Sequence, residues 1–294
     1  MYEKHFGFKS KPFAMNPDPA FLYPSSQHAM ALTMLEYAIE SQAPFCLLTG
    51  AIGSGKTTVL RHFLRSLNSK TKVGLISNTH AQFKSIHPWA LSALGIVPHD
   101  DSEIALYEAL IDSFVREYAN GGRTLLVVDE AHNLTPTILE ELRLLSNVNS
   151  EGDLSLQVLL VGQPELRTML EDRDLEQFAQ RVSVDFHLGP LTLPDAQLYI
   201  EHRLTVAGGD PSLFDLEAIA LVHARAGGVP RLINQLCDNS LVYAYADQLK
   251  KIDTQVVQRV LQDRGKRGAM PLFGANAAQR ARARRRTALS PERG

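Results

Sequence analysis

The grouping with the clearest chemistry is the stretch LLTGAIGSGKTTVL, in which Gly50 is followed after four residues by Gly55-Lys56-Thr57. This is the GxxxxGK[ST] spacing, and it sits where the pattern needs it, after an apolar strand and at the start of a helix. Glycines let the backbone turn tightly enough to aim main-chain N–H groups at phosphate oxygens, and the helix N-terminus adds a favourable field for the anion. The expected nucleotide-binding residues are therefore Gly50, Ala51, Ile52, Gly53, Ser54, Gly55, Lys56, Thr57 and Thr58. Lys56 should reach the β and γ phosphates and Thr57 should ligate Mg²⁺, so ATP and Mg²⁺ are the expected cofactors.

A second grouping completes the chemistry. In TLLVVDEAHNL an apolar run ends at Asp129-Glu130. Asp129, at the carboxyl end of a buried strand, can hold the Mg²⁺ water shell, and Glu130 can orient and polarise an attacking water. Asp129-Glu130-Ala131-His132 is also a helicase signature. A two-lobed helicase needs a second α/β lobe, however, and here the strand pattern stops near residue 188. His132 then reads as a polar residue near the nucleotide. The ten histidines show no close pair at metal-ligand spacing, which argues against a zinc site.

These residues must be held by alternating elements. Apolar runs at 45–49, 73–77, 125–128, 156–161 and 184–188 read as strands. Helical spacing precedes them at 26–41 and lies between them at 56–67, 103–118 and 136–146. That rhythm specifies an α/β fold, a parallel sheet with helices on both faces. After Leu191 only helical patterns remain, at 195–206, 216–226, 231–246 and 254–262. The expected organisation is a Pro- and aromatic-rich strap (1–24), an α/β nucleotide-binding domain (25–189), a small all-helical lid (190–263) and a basic, disordered tail (264–294).

Composition sets bounds. Of 294 residues, 45% are apolar and 21% charged, as in an ordinary globular chain. The start, MYEKHFGFKSKPF, has no apolar core of a secretory signal, and no run reaches the ~18 apolar residues of a membrane span. Cys46 and Cys237 lie in separate apolar segments and read as buried thiols of a cytosolic protein. The net charge of −2 hides an asymmetry. From Arg264 onward nine Lys or Arg face one acid, Glu292, a net +8 that leaves −10 for the rest.

A phosphate loop, an acidic strand end and a helical C-terminal domain together resemble the AAA+ ATPases. More closely, the chain resembles the ExeA/GspA-type ATPases of secretion and pilus assembly. The matching stretches are MYEKHFGFKSKPFAMNPDPAFLY, LLTGAIGSGKTTVLRHFL, LLVVDEAHNL, VLLVGQPELR, FAQRVSVDFHLGPL and GGVPRLINQLCDNSL. The resemblance implies that Gln163 is the first sensor of the γ-phosphate, where many relatives use Asn, and that Arg231 is the second sensor. It implies an arginine finger offered to a neighbouring subunit, Arg181 first and Arg173 second. Adenine would lie near Leu22 and Tyr23, although aromatic packing is the plainer role there. Ala51 departs from the pattern, since relatives often carry an acid at that place.

The larger members of the type add a membrane span and a peptidoglycan-binding domain, so the short MSHA-like pilus type is the nearer match. The resemblance further implies a homo-oligomer in the ATP state, a secretion or envelope-assembly partner, and a cytoplasmic location, peripheral at the inner membrane. A second reading stands beside it. AAA+ regulators of transposition look similar, and the Arg280–Arg286 cluster, five Arg in seven residues, could bind DNA phosphates, although a solvated end or contact with anionic lipid reads equally from it.

Overall fold

A computed structural model of the chain describes residues 1–15, 19–77, 84–148 and 156–267. In chain order its elements are α1 (Glu3–Phe6), α2 (Ser26–Glu40), β1 (Phe45–Gly50), α3 (Lys56–Ser66), β2 (Thr71–Ile76) and α4 (His87–Leu94). There follow α5 (Glu103–Ala119), β3 (Arg123–Val128), α6 (Pro136–Leu145), β4 (Leu156–Gly162), α7 (Glu165–Leu170), α8 (Glu176–Ala179) and β5 (Val182–Leu188). Four helices close the list: α9 (Leu193–Val206), α10 (Leu216–Ala226), α11 (Pro230–Ala246) and α12 (Thr254–Arg267). They belong to two compact units. One comprises residues 27–52 and 56–189; the other comprises 1–26, 53–55 and the chain from Pro190 onward.

The first unit is built on a parallel five-stranded sheet in the order β2-β3-β4-β1-β5. Side chains alternate across a strand, and the cores follow that alternation. Phe45, Leu47, Leu126, Val128, Val158 and Leu160 pack on one face with residues of α4, α5, α6, α7 and α8. Cys46, Leu48, Leu125, Val127, Leu159 and Val161 pack on the other with α2 and α3. β1, β3 and β4 are buried along nearly their whole length, which is why they read as continuous apolar runs.

Local chemistry sets several helix starts. Ser102 accepts from the Ala105 N–H ahead of α5, and Thr135 accepts from the Ile138 N–H ahead of α6, with Pro136 at its first position. α4 escaped the sequence reading. It has eight residues, the residue before it, Ile86, offers no side-chain cap, and a left-handed Gly95 closes it after little more than two turns.

The second unit gathers α9 to α12 and the N-terminal residues around one core. Tyr2, Phe8, Phe13 and Phe21 are buried there with Ile200, Leu204, Phe214, Val222 and Ile233. Buried Arg203 of α9 ties the N-terminal segment down. Its Nε donates to the Pro12 carbonyl at 2.5 Å, its Nη1 donates to the Tyr199 hydroxyl at 2.8 Å, and its guanidinium lies 4.9 Å from the Phe21 ring centre. Phe13 is 1% exposed and meets Phe214 edge-on. Phe13→Ala should therefore cost about 3–5 kcal/mol, read as a fall in the melting midpoint of this unit.

Helix α12 runs through Arg267, past the Asp263 limit that the sequence reading set, and Arg264 within it donates to Gln235 at 3.3 Å. The start of the expected basic tail is therefore helical; the Arg280–Arg286 cluster lies outside the described residues. Both cysteines are buried and free, and burial pushes the Cys46 thiol up to about 12. Among the described residues, no helix is long and apolar enough to cross a membrane.

Candidate functional site

Strand register decides what meets what. Thr49 of β1 pairs with Gly162 of β4, and Val128 of β3 pairs with Leu160 of β4. The residues immediately beyond, Gly50, Asp129 and Gln163, therefore emerge along one carboxyl edge of the sheet, the edge where open α/β sheets place ligands. Lys56 and Thr57 enter at the same edge as the first residues of α3.

The loop glycines show why glycine is required. Gly53 and Gly55 have φ of +80° and +105°, conformations that side chains resist. The Lys56 ammonium is nearly buried and donates to the Gly50 carbonyl at 2.8 Å and the Ala51 carbonyl at 3.1 Å. Burial lowers its pKa, against the opposing pull of the Glu130, Asp129 and Glu165 carboxylates. Lys56 is thus a desolvated cation facing three acids, a donor set that suits a phosphate bearing a divalent metal.

Asp129 accepts from the Glu130 N–H at 2.9 Å. Its pKa is nevertheless raised, first by burial and then by the Glu130 charge, against that hydrogen bond and the Lys56 charge. A carboxyl that holds its proton more tightly when folded loses stability as pH rises from the ordinary value of 3.8 through its raised folded value. Asp129→Asn should therefore melt higher than the parent at neutral pH, and the difference should vanish below the ordinary carboxylate range.

Glu130 sits at φ +53°, a left-handed backbone that a non-glycine residue adopts at a cost of about 1–3 kcal/mol. The turn carries the chain from β3 into a short 3₁₀ helix, Ala131–Asn133. There the His132 Nδ1 lies 3.4 Å from Glu130 Oε2, and the His132 Nε2 lies 2.6 Å from Gln163 Nε2. The sequence placed His132 and Gln163 only singly near the nucleotide; no spacing signal shows that they touch. It also missed Glu165, two residues after Gln163, and the buried Thr49 hydroxyl, which lies 3.0 Å from His187 Nδ1.

The remaining expected residues lie elsewhere. Arg181 immediately precedes β5, and Val182 pairs with Phe45 at the amino end of β1. Arg181 is thus at the opposite edge of the sheet from Lys56, where its guanidinium donates to Ser146 Oγ at 2.6 Å and the Arg143 carbonyl at 3.2 Å. Arg173 is exposed in a 3₁₀ turn. Arg231 belongs to the helical unit, in the first turn of α11, and its main-chain N–H donates to the Gly53 carbonyl at 3.3 Å. Tyr23 packs near the Tyr199 and His202 rings in the same unit.

Residues 39–170 match a family model described as an AAA domain. The chain is 38% identical over 253 residues to the general secretion pathway protein A of Aeromonas hydrophila, covering 86% of this chain and 46% of that one. The chain belongs to the AAA+ ATPases, ExeA/GspA type. It spans less than half the length of that relative.

The fold of this ExeA/GspA-type chain recurs in distant solved structures. Against the ORC2 protein of Aeropyrum pernix, in its ADPNP-ADP complexes, the TM-score is 0.61 at 15% identity, covering 87% of this chain and 72% of that one. Against Cdc6p of Pyrobaculum aerophilum it is 0.59 at 18% identity, covering 81% and 69%. At these identities the likeness concerns the fold alone.

Proposed function

We propose that this chain binds ATP with Mg²⁺ at the carboxyl edge of its sheet, hydrolyses it, and passes the resulting change of shape to a secretion or pilus-assembly partner. The observation that carries this reading is the convergence, from three strand ends, of Lys56, Asp129, Glu130 and Gln163. Main-chain N–H groups of 50–55 and the Lys56 ammonium hold the phosphates. Thr57 and, through the ion's water shell, Asp129 would hold Mg²⁺, which would neutralise phosphate charge. Glu130 takes the proton of the attacking water, and Gln163 orients that water or the γ-phosphate.

Arg181 is remote from Lys56 within its own sheet, so its assignment is to a neighbouring subunit's nucleotide. Its contacts to a neutral carbonyl and a hydroxyl are ones that a phosphate anion outcompetes. Exposed Arg173 stands second for that role, and Arg231 is assigned as the second sensor by resemblance. The relative's name, general secretion pathway protein A, supports the secretion role; a place at the cytoplasmic side of the inner membrane rests on the resemblance alone.

The test is calorimetry of the purified chain with MgATP alongside phosphate release. Heat at one site per chain with slow turnover is the expected result. No heat and no released phosphate would overturn the reading.

A further inference from the structure

His132 has no part in the roles assigned above, yet it lies between two residues that do. It is the second residue of the short 3₁₀ turn, and its side chain is 13% exposed. Its Nε2 is 2.6 Å from the side-chain nitrogen of Gln163. Its Nδ1 faces both Glu130 Oε2 and the main-chain nitrogen of Gln163, each at 3.4 Å. Gly162 makes the approach possible, because a Cβ there would come within 3.2 Å of the His132 main-chain nitrogen and 2.9 Å of Leu166.

Donor chemistry decides what this chain of contacts can do. An amide nitrogen has only hydrogens to offer, so the imidazole Nε2 that meets it must accept. A neutral ring that accepts at Nε2 carries its proton on Nδ1, the nitrogen that lies 3.4 Å from Glu130 Oε2. The main-chain N–H of Gln163 competes for the same Nδ1, but it can bond only to a bare nitrogen, which is the other tautomer. The Gln163 side chain therefore selects the tautomer that holds Glu130. Its amide nitrogen carries a second hydrogen, free in principle for a phosphate or water oxygen.

We infer that His132 is a positioning residue, a bridge through which Gln163 fixes the orientation of the Glu130 carboxylate. The inference rests on the proposed roles of Glu130 and Gln163. It adds that Gln163 acts on hydrolysis partly through His132, so the group that meets the γ-phosphate also aligns the base.

The test uses the full chain with MgATP and three variants: His132→Ala, Gln163→Ala and the double variant. Each should keep the parent's melting midpoint and bind MgATP within about threefold, while turnover falls roughly 10–100-fold, the effect of a misaligned reacting group. Because the two residues act in series, the double variant should be no slower than the slower single variant by more than about twofold. Parental turnover in His132→Ala, or losses that multiply in the double variant, would overturn the bridge. Should His132→Ala fail to fold, His132→Asn carries the same cycle with Gln163→Ala. An absence of heat from the parent chain with MgATP would instead sink the nucleotide reading itself.

Discussion

Lys56→Ala should weaken MgATP binding by about 10²–10⁴-fold. The ammonium can give charge-assisted hydrogen bonds to two phosphate oxygens, each worth about 1.5–3 kcal/mol. Main-chain N–H groups keep their share, so the loss is large but bounded. Stability should respond in a different way. Lys56 is held almost out of water, and burial lowers its pKa, so the unfolded chain holds that proton more tightly. The parent should therefore gain stability as pH climbs through the window between the lowered folded value and the ordinary lysine value of 10.5. Lys56→Ala should erase that alkaline gain. Isothermal calorimetry at neutral pH and melting curves across the alkaline range read the two effects separately. Parental affinity in the variant would remove the phosphate-loop assignment.

Glu130→Gln should bind MgATP as the parent does and turn over about 10²–10⁴-fold more slowly, the usual contribution of a positioned general base. Glutamine keeps the length and the hydrogen-bonding end of the side chain but cannot take a proton at neutral pH. The strained turn at φ +53° is a backbone feature and persists in the variant. Binding by calorimetry and single-turnover phosphate release separate the two terms. Unchanged turnover would place the base elsewhere. Lost binding would mean that Glu130 holds the nucleotide rather than the water.

Much of this fold was legible because parallel strands covered on both faces are apolar throughout. All five strands lie within two residues of their expected positions, and so do the ends of α3, α5 and α6. Asp129 and Gln163 could be placed at one edge because each follows such a strand directly, and Lys56 because the glycine-rich loop after β1 leads into α3. Contacts set by turns and by tertiary packing were not legible. No periodicity reports that Glu130 adopts a left-handed backbone, which swings His132 back toward Gln163. Nor could composition show that Arg203, inside an amphipathic helix, would be spent on the carbonyls of Pro12 and Ala14. α4 was missed because it is short and the residue before it, Ile86, offers no side-chain cap, although Pro88 in its first turn and Gly95 after it mark its ends.

The sheet order carries a practical warning. The stretch that defines the family ends at residue 170, but β5, which begins at Val182, covers the outer side of β1. A fragment trimmed to that stretch would turn the central phosphate-bearing strand into an open margin. Phe45 to Gly50 would then present unpaired amides and carbonyls along one side, an invitation to strand-on-strand aggregation. Any truncation meant for crystals or assays should therefore keep the chain at least through Leu188.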